Sequence, residues 1–149
     1  SILRDRVFEE VRTKRNLSYA PSAAMITEKT TTGFIYVSTT NADSAIKVMV
    51  GELDKLKNEV IPDKDMKNHK MRFLTMDYMR QETNAMQAGT LAGAQLYTGS
   101  WKNAAKLVEN INKVTPYDIK TMANKYIKNL NFVYVGKKNK VNEEILKQK

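Results

Sequence analysis

Cysteine is absent from the 149 residues, and histidine occurs once, at His69. The first absence excludes disulfides, thiolate metal sites and a cysteine nucleophile, and it identifies no compartment. The second leaves His69, in "KNHKMRF", with no second histidine at four-residue spacing, so neither H-E-x-x-H nor its inverse H-x-x-E-H can be written. Hydrolytic zinc sites usually draw three protein ligands from His, Cys, Asp and Glu. No metal site and no catalytic residue are therefore expected within this chain, and His69 reads as a helix-surface histidine rather than a general base. A G-x-S-x-G elbow, a phosphate loop and a dinucleotide fingerprint are missing too. No apolar run approaches the roughly 18 residues needed to span a bilayer, so membrane insertion is not expected.

Charge of one sign is in short supply: 16 Asp and Glu stand against 25 Lys and Arg, a formal +9 with a pI near 9.6. Such a balance favours anionic partners, nucleic acid among them. The basic residues are spread along the chain, usually beside Asp, Glu or Asn, with the densest run at "GKKNK", 136–140. Without clustering or interleaved exposed aromatics, they read as solvated helix faces, and a nucleic-acid partner is not expected.

The 42% hydrophobic content is enough for a core, and its spacing sets the elements. Leu3, Val7, Phe8 and Val11 mark a helix over 2–16. After Leu17 the pattern becomes extended, with Pro21 placing a strand near an edge. "TTTG", 30–33, is a turn candidate, and "GFIYVSTT" a second strand with Phe34, Tyr36 and Ser38 on one face and Ile35, Val37 and Thr39 on the other. Asn41 or Asp43 can cap a helix carrying Ile46, Met49, Val50, Leu53 and Val60, which Pro62 stops.

A long helical region follows from Asp63 to about residue 97, its methionines expected as core filler and Gly89 and Gly93 as close packing or a break. A short amphipathic helix carries Trp101, Ala104, Leu107, Val108 and Ile111. "VTPYDIKTMANKYI" then opens another, with Thr115 as cap, Pro116 at the first helical position and Asp118 in the acidic place of a capping box. Its Ile119, Met122, Ala123, Tyr126 and Ile127 are expected to point inward. "NFVYVG", 131–136, reads as a buried final strand, and the basic tail 137–149 as a weak surface helix.

Strands and helices segregate more than they alternate, which points to an α+β fold: a largely antiparallel sheet with helices packed on one face. One domain is expected over 1–149, with its core at about 3–136. Three strands make a thin sheet and the first helix opens without an evident cap, so further strands are expected to precede Ser1 in the natural protein.

Within "VRTKRNLSYAP", 11–21, Arg12 and Tyr19 stand seven positions apart across the helix-to-strand switch. Arg offers a planar, always-charged fork for carbonyl or carboxylate oxygens, and Tyr a hydroxyl on a rigid ring. Together they suit a peptide backbone carbonyl or the oxyanion that develops from it. The plainer alternative pairs Arg12 with Glu9 or Glu10 and packs Tyr19 under the sheet.

"LRDRVFEEVRTKRNLSYAPSA", "GFIYVSTTNADSAIKVMVGELDKL", "VTPYDIKTMANKYI" and "FVYVG", in that order and spacing, resemble the insulinase or pitrilysin family of zinc metallopeptidases. The likeness runs from Leu3 to Gly136 and is nearest to the mitochondrial-processing-peptidase-like branch and its bacterial relatives. It implies half of a clamshell, the C-terminal non-catalytic peptidase domain, missing its first strands. Homologous domains, in one chain or in paired subunits, would enclose a chamber where unfolded peptides are cut. It further implies that Arg12 and Tyr19 contact the peptide substrate while zinc sits on a homologous domain or subunit. Lys14 and Leu17 match the same pattern and are read as serving solubility and packing. The zinc motif is absent here, so a catalytically inactive structural or interaction subunit of the same fold is the alternative.

Overall fold

Val7 and Val11, one helical turn apart, are both completely buried and fix the opening helix to the core. The structure, a computed structural model, describes residues 1–27 and 30–147. Helix α1 (Ile2–Val7) is capped: Ser1 Oγ accepts from Arg4 N at 3.2 Å, contrary to the uncapped start expected from sequence. It widens into a π-helical turn over Phe8–Thr13, in which Lys14 N donates to Glu9 O, five residues back, at 2.9 Å.

Strands β1 (Ser22–Thr27) and β2 (Thr31–Tyr36) pair as an antiparallel hairpin. Gly33 lies within β2 and not in a turn, because the β-branched threonines beside it extend the strand. The rest of the chain is mainly helical: α2 (Ala42–Asn58), α3 (Asp63–Met79), α4 (Asn84–Thr98), α5 (Lys102–Ala105), α6 (Leu107–Lys113) and α7 (Pro116–Tyr126). Two 3-10 turns follow, at Lys138–Lys140 and Glu143–Lys147. The α+β class expected from sequence is the class observed.

The chain divides into two compact units. The first comprises Ser1–Ile26, Thr32–Val60 and Tyr117–Lys149. Its core holds Val7, Val11, Ala23, Ala42, Ala45, Ile46, Leu53, Leu56, Ala123 and Ile145. Asn41 caps α2, its Oδ1 accepting from Ser44 N at 3.2 Å, while Asp43 Oδ1 accepts from Asn142 N at 2.9 Å and ties down the tail. Lys120 Nζ and Asn124 Nδ2 donate to Asn58 O and Lys57 O at 2.9 and 2.7 Å, satisfying carbonyls at the end of α2. Buried Glu52 bonds Lys55, whose pKa this hydrogen bond raises against the opposing effect of desolvation.

Three expectations for this unit need correction. Residues 131–136 form no strand: among the described residues nothing pairs with them, and Val133 and Val135 are 91% and 93% exposed. The tail is not a surface helix, because Ile145 packs with Ala42 and Ile46 and draws Val141 and Leu146 in beside it. On α7, Ala123 is buried but Met122 and Tyr126 are exposed.

The second unit comprises Thr27–Thr31 and Ile61–Pro116. Thr83 caps α4 through Met86 N at 3.2 Å, and Gly99 ends it at φ 80°, the left-handed conformation that favours glycine. The methionines are not core filler: Met66 is buried, but Met71, Met76, Met79 and Met86 are 44–59% exposed. The cause is visible in α3, where apolar residues at 71, 73, 74, 76, 78 and 79 run around the helix rather than along one stripe. Gly89 and Gly93 lie inside α4 with nothing within 4 Å of a built Cβ, so they mark neither close packing nor a break.

Candidate functional site

The π-helical turn releases the chain sharply. Asn16 adopts φ 48°, a left-handed conformation that asparagine tolerates, with Asn16 N bonded to Arg12 O at 2.9 Å and Leu17 N to Val11 O at 2.8 Å. The chain then turns back toward β1, and Ser18 is buried while Tyr19 is 80% exposed. This local fold brings together the two residues singled out in the sequence. The Arg12 guanidinium carbon lies 4.3 Å from the Tyr19 ring centroid and 5.1 Å from that of Phe8.

Both distances fall within the range of cation–π attraction, worth about 0.5–1 kcal/mol each at exposed sites. Cation–π attraction consumes none of the five N–H donors that a guanidinium carries in its plane. Among the described residues, no ion pair holds Arg12. Glu10, a candidate partner by sequence, is engaged by Lys14 and Arg15 instead. Those two hydrogen bonds, Lys14 first, hold its carboxyl down from 4.5 to about 2. The arrangement in which Arg12 pairs with an acid and Tyr19 hides under the sheet is not the one adopted.

Arg12 and Tyr19 line an open cavity of about 420 Å³ with Asn16, Leu17, Ser18, Ser38, Thr39 and Thr40. The 38–40 segment leaves β2 and runs into the cap of α2, where Thr39 Oγ1 accepts from Asn41 N at 3.1 Å. The cavity therefore combines a planar cation, a phenol, an amide and several hydroxyls. Its lining carries hydrogen-bond donors suited to oxygen acceptors and has no carboxylate or imidazole to take a proton from water. Phe8, Asn16 and the hydroxyl run were not identified as site residues from sequence. "STTN" between a strand and a helix, four short polar side chains in a row, was the available signal.

Lys14 is exposed and bonded to Glu10, and Leu17 is half-buried in the cavity lining. His69 lies on α3 in the second unit. Among the described residues, no three His, Cys, Asp or Glu side chains converge as a metal site, and no helix is long and apolar enough to cross a membrane.

Residues 2–73, which contain every residue of the Arg12 cavity, match the family model described as "Peptidase M16 inactive domain". The fold is similar to that of the periplasmic protease PqqL from Escherichia coli, with a TM-score of 0.66 at 13% sequence identity. That match covers 85% of this chain and 14% of the protease, so the chain spans a small part of its length, and at this identity the likeness is one of fold. No curated protein matches the chain.

Proposed function

We propose that this chain is a non-catalytic, substrate-binding lobe of a zinc metallopeptidase, with zinc carried by a homologous domain or subunit. The observation that carries the reading is Arg12 stacked 4.3 Å over Tyr19 at the rim of an open polar cavity, within the segment similar to an inactive peptidase domain. In this reading the guanidinium edge and the phenol hydroxyl grip backbone carbonyls of an extended peptide. Their donors gain strength as negative charge builds on the carbonyl oxygen. Ser38, Thr39 and Thr40 lie along the same cavity and serve the flanking backbone.

The residues present do not fit a zinc ion: the chain has one histidine and no cysteine, and among the described residues no three His, Asp or Glu side chains converge. No step of hydrolysis is assigned to this chain. Its contribution is binding, orientation and charge stabilisation.

The test is cleavage of a quenched, unfolded peptide by an assembly of this chain with a zinc-bearing partner. Arg12→Ala is expected to lower turnover about 100-fold, as loss of an oxyanion donor does. Wild-type turnover in that variant rejects the assigned role. A second reading, a structural subunit that only holds a partner, is favoured by the exposed Met71, Met76, Met79, Leu96 and Tyr97 of the second unit. It expects an assembly that forms normally yet neither binds zinc nor cuts.

A further inference from the structure

Arg12 and Tyr19 meet because the chain reverses between them. Two nested backbone bonds close the π-helical turn: Asn16 N donates to Arg12 O at 2.9 Å, inside the bond from Leu17 N to Val11 O at 2.8 Å. A Schellman cap nests its two bonds in the same way about a residue in the left-handed conformation. Here each bond spans one residue more than in that cap, and Asn16, at φ 48°, takes the left-handed place. The reversal is anchored on both sides, because Val11 and Ser18 are buried. Tyr19 is 80% exposed, so little packing of its own fixes the ring. Its contact with Arg12 depends on where the turn delivers it.

We propose that Asn16 and Phe8 are positioning residues for the Arg12–Tyr19 pair. The left-handed backbone at 16 returns the chain so that the phenol ring reaches the guanidinium, with 4.3 Å from its carbon to the ring centroid. Phe8, four residues before Arg12, holds the same guanidinium at 5.1 Å from within the opening helix. An arginine side chain is long and samples many rotamers, and two ring contacts narrow that set before a ligand arrives. Glu10 engages Lys14 and Arg15, and neither of them lines the cavity, so Arg12 is the one cation among its lining residues. The role of Asn16 belongs to its backbone: asparagine tolerates this conformation, and a β-branched residue does not. The consequence for peptide binding rests on the substrate-binding reading; the geometry of the pair does not.

Two readouts on the whole chain test this: the order parameter of the Arg12 Nε–Hε group by NMR relaxation, and the affinity for a fluorescent, unfolded peptide. Phe8→Leu keeps an apolar side chain and removes the ring. It should lower the Arg12 order parameter and weaken the peptide about two- to fivefold. Asn16→Val forces a β-branched residue into a left-handed backbone and should weaken the peptide about tenfold while releasing Arg12. Asn16→Gly loses the amide but adopts this backbone freely, so it should bind at least about fivefold tighter than Asn16→Val and keep Arg12 ordered. In an Arg12→Ala background, Phe8→Leu should add no further loss. Binding as weak in Asn16→Gly as in Asn16→Val would make the amide a direct contact and overturn the proposal. An Arg12 signal indifferent to Phe8→Leu, or a further loss on top of Arg12→Ala, would overturn it too. Full affinity in Arg12→Ala alone rejects the substrate-binding reading instead, and the Arg12 signal then decides the positioning by itself.

Discussion

The two units use similar numbers of helices to different ends. In the first, α2 turns Ala42, Ala45, Ile46, Leu53 and Leu56 to one side, and the opening helix and the tail pack against α2 while α7 bonds the carbonyls at its end. In the second, Ile61 and Met66 are the buried apolar residues, while α3, α4 and the start of α5 leave Met71, Met79, Leu96, Tyr97 and Trp101 more than half exposed. Helix formation and core formation are separable here. Good propensity and caps at Thr83 and Gly99 make the helices of the second unit, but without a single apolar stripe they do not bury a core of matching size.

Substitutions can break that contrast. Leu53→Ala in the first unit should cost about 3 kcal/mol, through lost transfer energy and the cavity left behind, read by urea denaturation. Leu96→Ala, at a 75% exposed position in the second unit, should stay within about 0.5 kcal/mol. Equal costs would mean that the two units are buried alike in solution. Next in size, Gly99→Ala should destabilise by about 1 kcal/mol because φ 80° strains any side chain. Gly89→Ala and Gly93→Ala, with open space around them, should each stabilise by about 0.5–1 kcal/mol. A lower melting temperature in either of the latter pair would reveal packing that the structure does not contain.

Acid sharpens the picture of the first unit. The hydrogen bonds of Lys14 and Arg15 lower Glu10 from 4.5 to about 2 in the folded state. The unfolded chain therefore binds its proton first as pH falls. Stability from this group is complete above about pH 4.5 and is lost progressively toward pH 2. Glu10→Gln should be less stable than wild type near neutrality and should show a shallower loss across that window in pH-dependent melting.

Much of the first unit was legible in the sequence because its signals are local. Asn41 before an apolar stripe and the alternation of burial through Ile35, Val37 and Thr39 each have one physical meaning and hold, as does Pro116 at a helix start at the edge of the second unit, although β2 itself ends at Tyr36. The misreadings share a different cause. "NFVYVG" has strand periodicity, but pairing needs a second strand, which periodicity does not supply. Methionine on a helix reads as core only if another layer covers it. Ile145 looked like part of a charged tail because its partners, Ala42 and Ile46, lie a hundred residues away. At the site, the sequence singled out Arg12 and Tyr19, and the fold brings them together. The π-helical turn and the Phe8 contact that shape the rim leave no mark on hydrophobic spacing.

The account stands most directly on whether the Arg12 cavity holds an extended peptide. Binding of a fluorescent, unfolded peptide to the wild-type chain should weaken about tenfold in Arg12→Ala, as loss of a charged hydrogen bond does. It should weaken nearly as much in Arg12→Lys, which keeps the charge but loses the planar fork. Affinity unchanged in both variants would contradict a substrate-binding role for this site.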